Sequence, residues 1–277
     1  MLFVLVACLL ATPLIAADAI QYEFQQITKT DPPSDKAKVV VGKVFLDQGM
    51  SRVDFGESST AGAGTWVIVR NGGRDSIYVD PETKTYYVHS KGNLSDTLRG
   101  VNFEVSNLEI DSKYLGSGPV IAGYPTDHHR MTATYDVSIS LGPIPLVQHV
   151  RAVMDKWTTL AFGDAGSHYF QGNLPHSGDP EIDRLIEAET VEIPGFPLRQ
   201  ITTVTTKLSE SNLPRNSQLQ VRQSQKRITE LVVTRIGRAE SDPSMFRIPA
   251  GFKPLDDASL ATGSGNFDNP NPIEAPQ

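Results

Sequence analysis

The sequence predicts a mainly β fold. We expect a strongly curved antiparallel sheet or open barrel of about eleven strands, with one or two short helices over its mouth or concave side. Apolar and polar residues alternate with period two from about Ile20 onward, which indicates half-buried strands. The chain contains 22 Gly and 19 Pro residues, which favours many turns over long helices. A complete helix start signal occurs once, at Asp179-Pro180.

The first segment of the chain has the composition of a signal peptide. Residues 2–17 carry no charged side chain, and Thr12 is their one polar residue. The run is shorter than the ~20 apolar residues of a membrane-spanning helix, and it ends in small residues. The string Ala17-Asp18-Ala19 fits a cleavage site. We therefore predict a signal peptide over 1–19, cleaved after Ala17 or Ala19, with a retained N-terminal anchor as the alternative.

The single cysteine, Cys8, lies inside this segment. Together with Leu5-Val6-Ala7 it spells a lipobox, the motif at which bacterial lipoproteins are lipidated. Counted from Met1, that interpretation leaves a seven-residue signal, which is too short to work. Cleavage at Ala17 or Ala19 is therefore preferred, and the mature chain then has no disulfide, no thiol nucleophile and no cysteine metal site.

The mature chain begins with hairpins. The turn Asp47-Gln48-Gly49 joins an apolar run at 37–46 to an alternating run at 51–55, which is typical of two paired strands. Turn signals separate most of the remaining strands in the same way. Further strands are predicted at 20–25, 66–70, 76–79, 84–90, 101–110, 131–139, 147–157, 198–208, 218–223 and 227–236.

Two features interrupt the alternation. The apolar positions change parity between Val105 and Leu108, which predicts a β-bulge at Ser106-Asn107. A helix is predicted at 180–190, where apolar residues recur with helical spacing. Its apolar stripe consists of Ile182, Leu185 and Ile186.

The C-terminal part of the chain divides into a closing segment and a tail. Residues 243–252 are predicted to close the domain, anchored by Phe246 and Ile248. The rest is rich in Gly, Ser, Asn, Asp and Pro, which is typical of disorder. We therefore assign the domain to 20–253 and a disordered tail to 254–277.

Composition and motifs exclude several function classes. The net charge of −7 disfavours a general nucleic-acid binder, because such proteins are basic. The adjacent His128 and His129 would point to opposite faces of a strand, so they do not form a metal site. Trp157 at a strand end is interpreted as closing a core. We predict no catalytic residue, no metal and no cofactor; the enzyme alternative is a hydrolase that pairs Ser117 with His128 or His129.

The strands at 66–70 and 84–90 are apolar on both faces. One face can pack on the core, and the other must be covered by a lid or meet a ligand. If lid and sheet enclose an apolar cavity, a ligand can bind there. The residues predicted to line this cavity are Phe24, Val53, Trp66, Ile68, Tyr86, Val88, Leu185 and Ile186.

The order of several strings along residues 20–253 resembles uncharacterised bacterial envelope domains. Their fold is similar to that of the outer-membrane lipoprotein carriers (LolA/LolB-like). The strings are Met50-Ser51-Arg52-Val53-Asp54, Val67-Ile68-Val69-Arg70, Ile77-Tyr78-Val79-Asp80, Lys84-Thr85-Tyr86, Ile121-Ala122-Gly123-Tyr124-Pro125-Thr126, Asp155-Lys156-Trp157, Gly195-Phe196-Pro197-Leu198 and Met245-Phe246-Arg247-Ile248-Pro249-Ala250-Gly251-Phe252.

This resemblance implies an unclosed half-barrel in the periplasm, with helices on its concave side and an apolar cavity for acyl chains. The carriers use a buried arginine beside the helical lid, and Arg52 is the positional candidate for that polar contact. We therefore expect a non-enzymatic, monomeric carrier of a lipid or of a lipoprotein acyl chain. The alternative is a structural or sensory envelope protein that docks a protein partner through the same apolar face.

Overall fold

The structure is a computed structural model that describes residues 19–33, 37–57, 59, 62–70, 75–90, 102–141, 144–163, 193–209 and 224–255. The predicted helix at 180–190, the predicted strand at 218–223, the predicted signal peptide up to residue 18 and the predicted tail from residue 256 lie outside these ranges. Within them, no helix is both long enough and apolar enough to cross a membrane.

Twelve strands form one sheet in the described part of the chain. They are β1 (Ala19–Asp31), β2 (Lys38–Asp47), β3 (Met50–Phe55), β4 (Trp66–Arg70), β5 (Asp75–Asp80), β6 (Thr85–Ser90), β7 (Asn102–Ser117), β8 (Asp127–Leu141), β9 (Ile144–Thr159), β10 (Phe196–Leu208), β11 (Ser224–Ala239) and β12 (Lys253–Pro254). Two 3₁₀ turns accompany them, Leu160–Phe162 and Pro243–Phe246. This architecture confirms the predicted mainly β fold, an unclosed half-barrel.

The chain connectivity requires the sheet to curve. The strand order is β12-β6-β5-β4-β3-β2-β1-β11-β10-β9-β8-β7, so ten strand spacings separate β6 from β7. Laid flat, these spacings would measure about 48 Å. The chain between Ser90 and Asn102 spans at most about 43 Å when fully extended. The sheet must therefore curl to bring its two edges closer together.

The curled sheet stays open, because β6 and β7 do not pair with each other. Every neighbouring pair from β6 to β7 is antiparallel, so β6 and β7 themselves run in the same direction. A short hairpin cannot join two parallel strands. The edge of β6 is instead taken by β12, where Lys253 N donates to Lys84 O at 3.0 Å and Leu255 N donates to Tyr86 O at 2.8 Å. The ordered chain thus continues just past the predicted domain boundary at residue 253.

Two local predictions are confirmed. At the first hairpin, Gln48 has φ +46° and Gly49 has φ +78°, and Asp47 pairs directly with Met50. Two central residues with positive φ give the twist that a two-residue hairpin needs. In β7 the register shifts after Ser106, and Asn107 adopts φ +55°. This is the predicted bulge, which turns the following side chains back to the core.

The two faces of the sheet carry different cores. On the first face, which we call the core face, Tyr22, Val44 and Val53 pack with the start of β10. On the opposite side, the second face, Ile68, Ile77 and Val79 form another cluster. The cluster on the core face is made of Ile20, Tyr22, Val44, Leu46, Phe162, Phe196, Leu198, Val233 and Ile236.

The chain's own C-terminus covers the cluster on the second face. Residues 243–255, which we call the closing segment, place Phe246 in this cluster with 3% of its surface exposed. Ile248 and Phe252 pack beside it. Asp242 caps the 3₁₀ turn by accepting from Ser244 N at 2.9 Å. The prediction that Phe246 and Ile248 anchor a closing segment is therefore confirmed.

Candidate functional site

The predicted cavity residues divide between the two faces of the sheet. Phe24 and Val53 lie on the core face and pack against its cluster. The Phe24 ring lies over Gly42 of β2, where an added Cβ would come within 2.8 Å of Phe24 Cε1. A glycine opposite an aromatic ring lets the ring lie flat on the neighbouring strand. These two residues therefore belong to the lining of the core face.

Three other predicted residues lie on the second face, under the closing segment. Trp66, Ile68 and Tyr86 pack there with Phe246 and Phe252, and the Trp66 and Phe252 rings are 6.1 Å apart. Val88 is 42% exposed, and Leu185 and Ile186 lie outside the described residues. The structure thus does not bring the described candidates together around one cavity.

Arg52 holds the closing segment to the sheet. Its guanidinium lies 4.5 Å from the centre of the Trp66 ring, and its Nε donates to Asp54 Oδ1 at 2.6 Å. Its Nη1 donates to the carbonyl oxygen of Met245 at 3.3 Å. These contacts give Arg52 a structural position between β3 and the C-terminus, on the face opposite Phe24 and Val53.

The core face continues across β8 and β9 as a surface of small and flexible apolar side chains. Met131 lies directly opposite Met154, and Ala133 lies opposite Ala152. Less than a tenth of each of these residues is exposed to solvent. They lie on the same face as Phe24 but outside its aromatic cluster. The alternation of β8 predicted one apolar face through Met131 and Ala133, but it did not mark them as a site.

A polar band crosses the second face at the level of Trp157. The His128 ring stacks on the indole at 4.3 Å, and the Arg199 guanidinium lies 4.9 Å from the indole centre. Asp155 accepts from Arg130 Nε at 2.9 Å and from Arg130 Nη2 at 3.1 Å. The interpretation of Trp157 as closing a core is wrong, since it lies among polar groups of neighbouring strands and outside both core clusters.

The adjacent histidines lie on opposite faces, as predicted. His128 pairs with Trp157 on the second face, whereas His129 pairs with Lys156 and its ring packs against Tyr114. Burial lowers the pKa of His129. In the part of the chain that the structure describes, no three His, Cys, Asp or Glu residues are grouped as metal ligands would be.

A second polar group surrounds Asp136 on β8. Asn107, at the bulge, donates its amide to Asp136 Oδ2 at 2.8 Å, and His149 Nδ1 contacts Asp136 Oδ1. The Asn107 hydrogen bond, followed by the bond to His149, holds the pKa of Asp136 below its usual range. The bulge therefore lowers the pKa of Asp136 in addition to shifting the register of β7.

We expect Asn107→Gly to raise the pKa of Asp136 toward its ordinary value, because the carboxylate loses its amide donor. Glycine keeps the positive φ of this position available. A lowered carboxyl pKa stabilises the fold above the unfolded pKa, and this contribution disappears as pH falls through the folded value. The variant should thus lose less than about 1 kcal/mol near neutral pH and nothing in strong acid.

An NMR titration of the Asp136 carboxyl group measures the change in its pKa. Urea unfolding near neutral pH and in strong acid measures the change in the free energy of unfolding. Asp136→Asn serves as the control, since it should abolish the acid-dependent part altogether. An unchanged Asp136 titration in Asn107→Gly would contradict the assignment of the amide as the main cause.

Overlaps with known proteins are found among solved structures. No protein-family model and no curated protein matches the chain. PNGF-II overlaps with a TM-score of 0.34 and 8% identity, covering 89% of this chain and 32% of PNGF-II, so the chain spans about a third of that protein. A LolA superfamily protein, NE2245 from Nitrosomonas europaea, has a TM-score of 0.30 and 8% identity, covering 83% of this chain and 90% of the other. Neither overlap identifies a family for this chain.

Proposed function

We propose that the protein is a non-enzymatic binding or carrier protein for a lipid or acyl chain. It acts as a monomer in the periplasm of a bacterial envelope, after removal of its N-terminal segment. The observation that supports this proposal is the Met and Ala surface on the core face of β8 and β9. The unclosed, curved sheet carries these side chains on one face.

The side chains of this surface suit an acyl chain. Methionine is flexible and polarisable, so Met131 and Met154 can adapt to a ligand of irregular shape. Beside them, Ala133 and Ala152 present only single methyl groups. Each methylene that leaves water contributes about 0.8 kcal/mol, so a bound chain of ordinary length has ample driving force.

The proposal divides the predicted cavity residues by face. Phe24 and Val53 lie on the core face and remain candidates for contact with the ligand. We assign Trp66, Ile68 and Tyr86 to holding the closing segment, because they pack against it.

Two variants on the core face test the proposal with a fluorescent long-chain fatty acid as the probe. Ala133→Leu places a larger side chain beside the methionines, and Met154→Gln keeps the volume but adds a polar amide. We expect each to weaken probe binding by about tenfold or more, because an unpaired amide, or a larger side chain where the ligand would lie, opposes chain burial. Fluorescence titration of the protein purified from the envelope and stripped of lipid measures the affinity.

Thr132→Leu is the matched control, since Thr132 precedes Ala133 and lies on the second face, opposite Val153. It should bind the probe as the wild type does. Native mass spectrometry before lipid extraction should show a bound species of lipid mass. A protein that carries no lipid and binds no probe would contradict the proposal and favour the docking of a protein partner.

A further inference from the structure

A row of polar side chains crosses the core face beside the Met and Ala surface of β8 and β9. Lys156 on β9 lies directly opposite His129 on β8 and directly opposite Gln200 on β10. All three residues are partly buried. Side chains that lie opposite each other on neighbouring strands are about 5 Å apart at Cβ, so a group bound at Lys156 can also contact the other two. We call these three residues the polar row.

The polar row directly borders the surface proposed to hold the acyl chain. Lys156 follows Met154 by two residues, so both side chains lie on the same face of β9. Thr202 lies directly opposite Met154, and its Oγ1 accepts from Gln200 Nε2 at 3.2 Å. A threonine hydroxyl that accepts a hydrogen bond keeps its own proton to donate. A ligand chain on the methionines therefore lies beside a hydroxyl donor and an ammonium group.

Lys156 supplies the positive charge of the polar row near neutral pH. Burial is the main cause that lowers the pKa of His129, and the neighbouring Lys156 ammonium lowers it further. His129 is therefore neutral near pH 7 and offers one ring N–H, whereas a lysine ammonium offers three donors and a full charge. The same electrostatic effect indicates that the two side chains lie near each other.

The core face of β8 to β11 carries an excess of positive charge, although the whole chain has 25 basic and 32 acidic residues. The described basic residues of this face are Lys156, Arg227 and Arg238. Among the described residues of these four strands, Asp127 is the single core-face carboxylate, and it accepts from Tyr114 Oη at 3.1 Å. On the second face, Asp155 and Glu230 are each paired with an arginine. The core face thus favours a partner with negative charge.

We propose that the polar row binds the anionic head group of the ligand, a carboxylate or a phosphate. The acyl chain of the same molecule lies on the Met and Ala surface. Lys156 provides the charge, and the hydroxyl of Thr202 donates a hydrogen bond beside it. An ammonium that is partly removed from water interacts more strongly with an anion than an exposed one does. This inference rests on the proposed function and narrows its ligand to amphiphiles with a negative head group.

Three probes with one fluorescent chain test the head-group site on the protein purified from the envelope and stripped of lipid. They are a long-chain fatty acid, its methyl ester and a phosphatidylglycerol that carries the same acyl chain. Fluorescence titration measures each affinity in the wild type, in Lys156→Gln and in Lys156→Arg. Lys113→Gln is the matched control, since Lys113 is 65% exposed, pairs with Asp111 and lies opposite Arg130 on the second face.

We expect the wild type to bind the fatty acid about tenfold more tightly than the ester, because a hydrogen bond to a charged group is worth at least that factor. Lys156→Gln should weaken binding of the acid by about tenfold and leave the ester unchanged. Lys156→Arg should keep most of the preference, and Lys113→Gln should alter neither affinity. Phosphatidylglycerol that binds as tightly as the acid identifies a phospholipid head group, and weaker binding identifies a free carboxylate.

Two results would overturn the head-group site while chain binding stands. The first is equal affinity of the wild type for acid and ester. The second is equal weakening of both probes by Lys156→Gln, which would assign this lysine to the shape of the surface. Failure of every probe to bind would instead remove the proposed function, and this inference with it.

Discussion

Replacing Phe196 with alanine is expected to cost about 3–5 kcal/mol of the free energy of unfolding, because it empties the centre of the core-face cluster. Phe196 is 1% exposed and contacts Tyr22 and Phe162 in edge-on geometry. It thereby joins β1, β10 and the turn after β9. Loss of the ring removes apolar burial together with two aromatic pairs, each of which contributes further stability.

Equilibrium urea unfolding, followed by circular dichroism, measures this loss. Phe196→Leu keeps most of the buried volume and should cost roughly half as much. Val88→Ala, at an exposed position, should change the free energy of unfolding by less than about 0.5 kcal/mol. A loss below about 1 kcal/mol for Phe196→Ala would show that the cluster does not hold the sheet in the proposed way.

Phe246→Ala is expected to release the closing segment from the second face. The ring is 3% exposed and packs with Ile68, Ile77 and Val79. Its removal should cost about 3 kcal/mol or more, because the cavity lies against three fully buried strand residues. The amides of Lys253 and Leu255, which bond to β6, should exchange with solvent deuterium at least about tenfold faster than in the wild type.

Two further variants distinguish which residues hold the closing segment to the sheet. Arg52→Met keeps an unbranched apolar side chain but removes the guanidinium from the Trp66 ring, the ion pair with Asp54 and the hydrogen bond to the Met245 carbonyl, so it should cost about 1 kcal/mol or more. Arg247→Ala changes an exposed residue of the same segment and should have almost no effect. Unaltered exchange at Lys253 and Leu255 in Phe246→Ala would contradict the role of this ring as the anchor.

The strands and several of their irregularities follow from local rules. A strand repeats every two residues, so alternation identifies β8 and the parity change that marks the bulge at Asn107. The hairpin at Gln48-Gly49 depends only on the residues that accept a positive φ. The anchors of the closing segment, Phe246 and Ile248, were also evident as large apolar residues in a Pro-containing stretch.

The residues that form the candidate site were harder to predict from the sequence. Trp66 and Val67 lie on opposite faces of one strand, and the sequence indicates that both must be buried. It does not identify the elements that bury them, since the hydrophobic effect is not directional. Trp66 lies under the C-terminus and Val67 lies on the core face. Trp157 was misassigned for a related reason. His128 stacks on its ring and the Arg199 guanidinium lies over it. Both residues reach the ring only because three strands align in register.

The sequence by itself determined the fold class and the hairpins, because these depend on residues near one another in the chain. The tertiary structure alone decided that β1 pairs with β11 and that the turn after β9 packs against the start of β10. It also decided that the predicted cavity residues divide between two faces. The physical reason is that strand pairing and face assignment are set by contacts between residues far apart in sequence, which local alternation does not encode.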